Sequence, residues 1–456
     1  MRATPFRMIM AGVLLAWTPP PLASLGQDGQ ARRAPNFIVV LTDDQGYGDL
    51  GSFGSQTIRT PHLDRMAQEG TRFTSFYAQT VCGPSRFALL SGAYPARDHT
   101  AAGWVLPGDV VTLAEAIQPV GYRTGCVGKW DVSGRKYVEG LVPNDQGFDE
   151  YYGTLGANDG GEVTLWRNRE QVETTRDMSS LTSRYTAEAL DFIERHREQP
   201  FLLYLAHSMP HVRIDASAEF KGKSQGDLYG DVIEEIDHSV GQILDRLRSL
   251  QLDQSTIVIF YSDNGPWNQL EQQFQQSHGG HLASGSAGPL RGGKGSSWEG
   301  GLRVPCLAWG PGQVPAGRVC DQIFCSLDIL PSLARLTGAP LASGVAIDGI
   351  DQSALLTGQP LSDPTPATGR HVFAYFVMNE LQAIRRDRWK LALPGRTQHW
   401  PFAIDSPPLL AAQLYDLDND IGERHDVALD HPDLVTELLQ LAEETRLDMQ
   451  LPSTRP

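Results

Sequence analysis

The stretch Asn36-Phe37-Ile38-Val39-Val40-Leu41-Thr42-Asp43-Asp44-Gln45-Gly46 decides how this chain is read. From Phe37 to Leu41 it is apolar without alternation, which predicts a strand covered on both faces, as in a parallel sheet. Its carboxyl end delivers Asp43 and Asp44 into a loop, where ligands gather on such sheets. Two further runs have the same form. Phe201-Leu202-Leu203-Tyr204-Leu205-Ala206 ends in His207-Ser208-Met209-Pro210-His211, and Thr256-Ile257-Val258-Ile259-Phe260-Tyr261 ends in Ser262-Asp263-Asn264-Gly265. Three buried strands thus finish in polar clusters.

Strand and helix patterns alternate outward from these runs. Helices are expected near residues 60–67, 111–117, 183–195, 229–250, 327–336 and 432–447, and strands at 71–77 and 122–131. Val81-Cys82-Gly83-Pro84-Ser85-Arg86 precedes an apolar run that predicts a helix beginning near Pro84. A sulfur at that dipole-positive end, with Arg86 close by, suits an oxyanion or a reactive anionic nucleophile. Residues 265–297, rich in Gly, Gln and Ser, read as a long loop over the site. Proline and threonine between residues 361 and 368 mark a boundary, followed by alternating strands. The expected fold is α/β: a large, mixed, mostly parallel sheet between helices over residues 34–362. A smaller C-terminal α+β subdomain with an antiparallel sheet follows at 363–456.

Residues 1–26 carry Arg2, Arg7, an apolar stretch and then small residues, the pattern of a secretory signal peptide, so an exported protein, periplasmic or extracellular, is expected. The balance of 38 basic and 54 acidic residues, formally −16, excludes a nucleic-acid partner. No later run is long enough for stable membrane insertion. An anionic substrate must then be held by local cations, because long-range steering opposes it. Five cysteines are too few for a disulfide scaffold; Cys320 and Cys325 are close enough in sequence to pair, or to remain buried thiols.

Asp43, Asp44, Asp263 and Asn264 form a hard oxygen donor set suited to Ca²⁺, with Mg²⁺ second. Lys129, His211 and Lys294 occupy loops around the same strand ends, Lys294 within Arg291-Gly292-Gly293-Lys294-Gly295, where glycine lets the backbone approach a ligand.

On Cys82-Gly83-Pro84-Ser85-Arg86 with Leu89-Leu90-Ser91-Gly92, the chain resembles the formylglycine-dependent sulfatases of the alkaline-phosphatase-like superfamily. Asp43-Asp44-Gln45-Gly46-Tyr47-Gly48-Asp49, Gly128-Lys129-Trp130, Pro210-His211, the Asp263 and Lys294 segments and Leu414-Tyr415-Asp416-Leu417 match in order. The resemblance implies that a maturation enzyme, reading Pro84 and Arg86, oxidises Cys82 to formylglycine. One oxygen of its hydrate, held by Ca²⁺, attacks sulfur, and collapse of the diol frees sulfate. It further implies metal ligation by Asp43, Asp44, Asp263 and Asn264, sulfate contacts by Lys129 and Lys294, a place for His211 near the leaving oxygen, and a bracing role for Arg86. The substrate class is a sulfated small molecule or glycan.

One position departs from the family. Asp131 stands where the family carries a histidine, the expected base for diol collapse, so Asp131 or one of His99, His207, His278 and His281 is the candidate replacement. The competing readings are a phosphodiesterase or phosphonate monoester hydrolase on the same fold, and a sulfoglycan-binding protein without catalysis.

Overall fold

The computed structural model describes residues 34–98, 101–268, 285–341, 346–359, 369–395 and 407–451. The expected signal peptide, His99, His278, His281, residues 269–284 of the 265–297 loop and the whole 361–368 boundary lie outside them.

Eleven strands form one sheet. In chain order they are β1 Asn36–Thr42, β2 Thr71–Tyr77, β3 Arg123–Lys129, β4 Glu150–Thr154, β5 Val163–Arg167, β6 Glu170–Thr175, β7 Phe201–Ala206, β8 Thr256–Ser262, β9 Arg303–Trp309, β10 Arg318–Cys320 and β11 Phe324–Cys325. The spatial order is β10-β2-β9-β8-β1-β7-β3-β4-β5-β6, with β11 beside β2. Strands β8, β1, β7, β3 and β4 run parallel, with Val39 opposite both Tyr204 and Ile259. Strand β9 is antiparallel to β8 and to β2, so β2 points the same way as the parallel core.

The uninterrupted apolar run of β1 is explained by its two coverings. Phe37, Val39 and Leu41 face a layer holding Leu89 and Leu90 of helix α2 (Cys82–Ser91) and Leu330 and Leu333. Ile38 and Val40 face Leu63 and Met66, Phe192, and Ile236 and Val240. Helix α2 has no solvent face; all ten of its residues are buried.

A second sheet of four antiparallel strands, β12 Val372–Val377, β13 Glu380–Arg386, β14 Trp389–Ala392 and β15 Gln413–Asp416, packs with the helix Pro432–Asp448. Its junction with the main sheet contains a buried lysine. Lys390 Nζ donates to Ser297 O at 2.8 Å and pairs with Glu299 at 3.0 Å and Glu423 at 2.7 Å. Burial, joined by the charge of Glu299, pushes the Glu423 carboxyl up to about 7 against the pull of Lys390.

Local corrections have physical causes. Helix α2 begins at Cys82 itself, so the sulfur is carried by the first helical residue. Cys320 and Cys325 are both free thiols. They pair with β2 at Phe73 and Tyr77, four positions apart, which sets them ~13 Å from each other along the strand, beyond the reach of a disulfide. The hairpin β5–β6 has no counterpart in the sequence reading, because β6 is exposed along most of its length and shows no apolar period.

Candidate active site

Because β1, β2, β3, β4, β7 and β8 share one direction, their carboxyl ends meet at one edge of the sheet. Asp43 and Asp44 follow β1, Cys82 follows β2, Lys129 closes β3, His211 follows β7, and Asp263 and Asn264 follow β8. Lys294 arrives from the loop before β9, whose amino end lies at the same edge because β9 is antiparallel. Backbone bonds from Lys294 N to Pro266 O (2.9 Å) and from Gly295 N to Thr80 O (2.8 Å) fix that loop between the Asp263 and Cys82 segments. Close approach requires glycine at Gly128: a Cβ there would lie 1.9 Å from the Ala206 carbonyl oxygen, and φ is +108°.

Cys82 Sγ sits 3.2 Å from Asp43 Oδ1 and accepts from Lys294 Nζ at 3.3 Å. Arg86, fully buried, donates to Asp43 Oδ2 at 3.2 Å, Asp263 Oδ2 at 2.8 Å and the Lys129 carbonyl at 2.7 Å. Lys129 Nζ donates to Asp43 Oδ2 at 2.6 Å. Lys294 Nζ donates to Asp44 Oδ2 at 2.8 Å and lies over the ring of Trp267. His211 stacks on Trp267, with Nδ1 at Asp44 Oδ2 (2.5 Å) and Nε2 at Asp159 Oδ1 (3.0 Å).

The electrostatics follow from burying three aspartates beside four cationic groups. Burial raises the Asp43 carboxyl, but Lys129, His211, Arg86 and Lys294 together outweigh it and hold it well below the ordinary range. Asp44 is likewise held down by Lys294 and His211 against burial. Asp263 is pushed up to about 7, first by burial and then by Asp43. Burial lowers the proton affinity of His211 and so does Lys294, yet Asp44, Asp159 and Asp43 bring it up to about 9.

Cys82 departs from the expected anionic nucleophile. Burial and the adjacent Asp43 raise its thiol well above the ordinary value, and Lys129 and Lys294 do not offset them. A free thiolate at the helix start is therefore disfavoured despite the dipole.

The residues present fit a hard cation. One ligand atom each from Asp43, Asp44, Cys82 and His211 lies within 4.8 Å of the others. The Asn264 amide donates to Asp44 Oδ1 at 2.7 Å, while its buried Oδ1 has no hydrogen-bond partner. Three carboxylates, one of them raised to about 7, and an orphaned amide oxygen form a cradle of hard oxygen donors. Asp44, at φ +68°, adopts a backbone conformation rare outside glycine, the kind of local strain that collects at functional sites.

Asp131 is also left-handed, at φ +58°, and is buried. Its Oδ2 lies 3.2 Å from Lys129 Nζ and its Oδ1 accepts from Arg135 Nε at 2.9 Å. His207 does not join this cluster; its Nε2 meets Ser239 Oγ of the helix Asp227–Ser249, and burial lowers its proton affinity to about 4. Sequence reasoning missed Trp104, Arg135, Asp159 and Trp267. The turn Asn158-Asp159-Gly160-Gly161, shortly after β4, was the available signal, since it follows a strand of the same parallel set.

Comparison with known proteins agrees with this geometry. The Sulfatase family model matches residues 35–339. The chain is 36% identical over 411 residues to N-acetylgalactosamine-6-sulfatase of Canis lupus familiaris, covering 83% of this chain and 75% of that one. It is 32% identical to arylsulfatase A of Bos taurus, covering 91% and 88%. Among solved structures, the 6S-sulf protein from a locus for metabolism of multiple glycosaminoglycans in Bacteroides thetaiotaomicron superposes with a TM-score of 0.80 at 29% identity, covering 91% of this chain and all of that one. The chain belongs to the sulfatase family and is a sulfuric ester hydrolase of the alkaline-phosphatase-like superfamily.

Proposed function

We propose that the chain is an exported sulfatase that removes sulfate from a sulfated carbohydrate, with Cys82 converted to formylglycine by a maturation enzyme and Ca²⁺ held by Asp43, Asp44, Asp263 and Asn264. The observation that carries this reading is the environment of Cys82. Its thiol is buried and disfavoured as an anion, yet metal-type carboxylates and the ammonium of Lys294 converge on it. Such a site suits a nucleophile other than the thiolate. The hydrated aldehyde would supply an oxygen nucleophile, and loss of the proton of its second hydroxyl to water would let the carbon–oxygen bond to sulfate break as the aldehyde re-forms; the cation would supply charge compensation.

The chain's own residues supply the rest. Lys129 and Lys294 present ammonium groups to the oxygens of the transferring sulfuryl group, where negative charge spreads in the transition state. Arg86 Nη2 donates to both Asp43 and Asp263 and so braces the two carboxylates against each other. His211, brought up to about 9 by Asp44, Asp159 and Asp43 against burial, donates its Nε2 proton in a hydrogen bond to Asp159 Oδ1, and passes it to the leaving alcohol oxygen once the substrate takes the place of that carboxylate. Asp131 has both oxygens engaged by cations and serves as an anchor for Lys129 and Arg135 in place of the family's histidine. A carbohydrate substrate is supported by the similarity to N-acetylgalactosamine-6-sulfatase of Canis lupus familiaris and by the glycosaminoglycan locus of the structural neighbour.

Mass analysis of the tryptic peptide Phe73–Arg86 tests the reading. The aldehyde is expected at position 82 in protein made alongside a maturation enzyme, with sulfate release lost in Cys82→Ala. An unmodified Cys82 in active protein overturns it.

A further inference from the structure

Arg135 carries the inference, which rests on the proposed sulfatase reading. Lys129 and Arg86 have side chains with 0% exposure and Lys294 3%, all committed to the aspartates around Cys82. Arg135 is different: its side chain is 40% exposed, and that of Asp159 is 37% exposed. Among the described residues of this cluster, these two reach solvent, whereas Cys82, Lys129, Lys294 and His211 are all buried. They therefore offer a solvent-facing surface beside the site for the part of a substrate beyond its sulfate group.

The guanidinium is held by three contacts. Nε donates to buried Asp131, Nη1 donates to Asp159 Oδ2 at 3.1 Å, and the plane lies 5.1 Å from the centre of the Trp104 ring. Trp104 in turn packs on the residue after the nucleophile, because a Cβ on Gly83 would lie 2.5 Å from its ring. Asp159 bridges Arg135 to His211, taking Nη1 on one oxygen and Nε2 on the other. Arg135 is thus one carboxylate away from the histidine assigned to the leaving oxygen. Its Nη2 makes no hydrogen bond to a described residue, so a planar pair of donors faces outward next to the leaving-group side. Asp131 is the fixed half of this arrangement and Asp159 the exchangeable half, because only Asp159 reaches solvent.

We infer that Arg135 is a specificity-determining residue that binds a second anionic group, a sulfate or carboxylate, adjacent to the ester being hydrolysed, so that the substrate class is a multiply charged saccharide. In a chain of formal charge −16 such a substrate gains nothing from long-range attraction, and a local guanidinium is the means of holding it.

Calorimetric binding to Ca²⁺-loaded Cys82→Ala protein separates this inference from the chemistry at position 82. The probes are matched pairs: the 6-sulfate and the 4,6-disulfate of N-acetylgalactosamine, and the 6-sulfate and the 2-N,6-O-disulfate of glucosamine. In at least one pair the disulfate is expected to bind about 10-fold tighter or more, with the preference shrinking as salt rises. Adding Arg135→Gln should remove that preference while changing monosulfate affinity by less than about 3-fold, and Arg135→Lys should keep part of it. Equal binding within both pairs overturns the inference, as does an Arg135→Gln loss that is the same for mono- and disulfates, the mark of a merely structural role. Absence of sulfate release by the wild-type enzyme, with these binding preferences intact, overturns the activity reading and leaves the anion subsite standing.

Discussion

Replacing Lys390 by methionine should destabilise the protein in a pH-dependent way. Lys390 is buried, and its ammonium is shared by Glu299 and Glu423. Without it Glu299 keeps Arg303 and the hydroxyls of Tyr77 and Tyr375, whereas Glu423 keeps the Glu299 backbone N–H at 2.7 Å. Removing one partner from a buried ion pair costs about 3–5 kcal/mol, and that full loss is expected at pH 8. The sign at lower pH follows from Glu423. Its folded value, about 7, lies above the ordinary 4.5, so between these values the native state binds more protons than the unfolded chain. Stability therefore falls as pH rises through that window and levels off above it. In Lys390→Met the folded value moves higher still, and the fall continues past pH 7. At pH 5.5 Glu423 is largely protonated in either protein, leaving only the weakened Glu299 contacts, a deficit of about 1–2 kcal/mol. Urea unfolding at the two pH values, read by tryptophan fluorescence, measures this. Lys390→Met/Glu423→Gln should recover most of the loss at pH 8. Sulfate release should fall in the single variant, because Lys390 also holds the carbonyl of Ser297, three residues beyond Lys294. A deficit below 1 kcal/mol at pH 8, or one equal at both pH values, would refute this account of the junction.

The cation site offers a second pH test. Asp263, near 7 without metal, must release its proton to ligate, so Ca²⁺ should raise the melting temperature of chelator-treated protein more at pH 8 than at pH 5; an equal rise counts against Asp263 as a ligand. Asp263→Asn should weaken Ca²⁺ binding at pH 8 and flatten that difference, which titration calorimetry follows. Gly128→Ala drives a Cβ into a backbone oxygen in a left-handed position between two parallel neighbours, and should cost more than about 3 kcal/mol; a wild-type melting curve would contradict the packing described for β3.

The fold was legible wherever burial on both faces removed the alternation of apolar and polar residues. Strands β1, β7 and β8 could be placed from their apolar runs, and their shared direction brought Asp43, Asp44, His211, Asp263 and Asn264 to one edge. The arrangement around Lys129 was legible only in part. Asp131 could be singled out as a departure from the family pattern, but its engagement by Arg135 depends on a left-handed backbone that no local signal announces. Asp159 reaches His211 from a turn after β4, at a sequence separation of 52. No periodicity encodes such a contact. The thiol of Cys82 shows the limit of reading a helix start alone: the dipole was visible in the pattern, but the burial that outweighs it belongs to the whole sheet.

The absence of a solvent face on α2 bears on the order of events in the life of the chain. Cys82, Pro84 and Arg86 are all interior once the sheet is formed, covered by layers drawn from segments as far apart as Trp104, Lys129 and Lys294. A second protein can grip that segment only if the packing over α2 opens. If position 82 is converted, conversion and folding compete for the same newly made polypeptide, and whichever is faster fixes its activity for good. The yield of working enzyme is then governed by a kinetic race during synthesis, and slowing collapse around α2 should raise it.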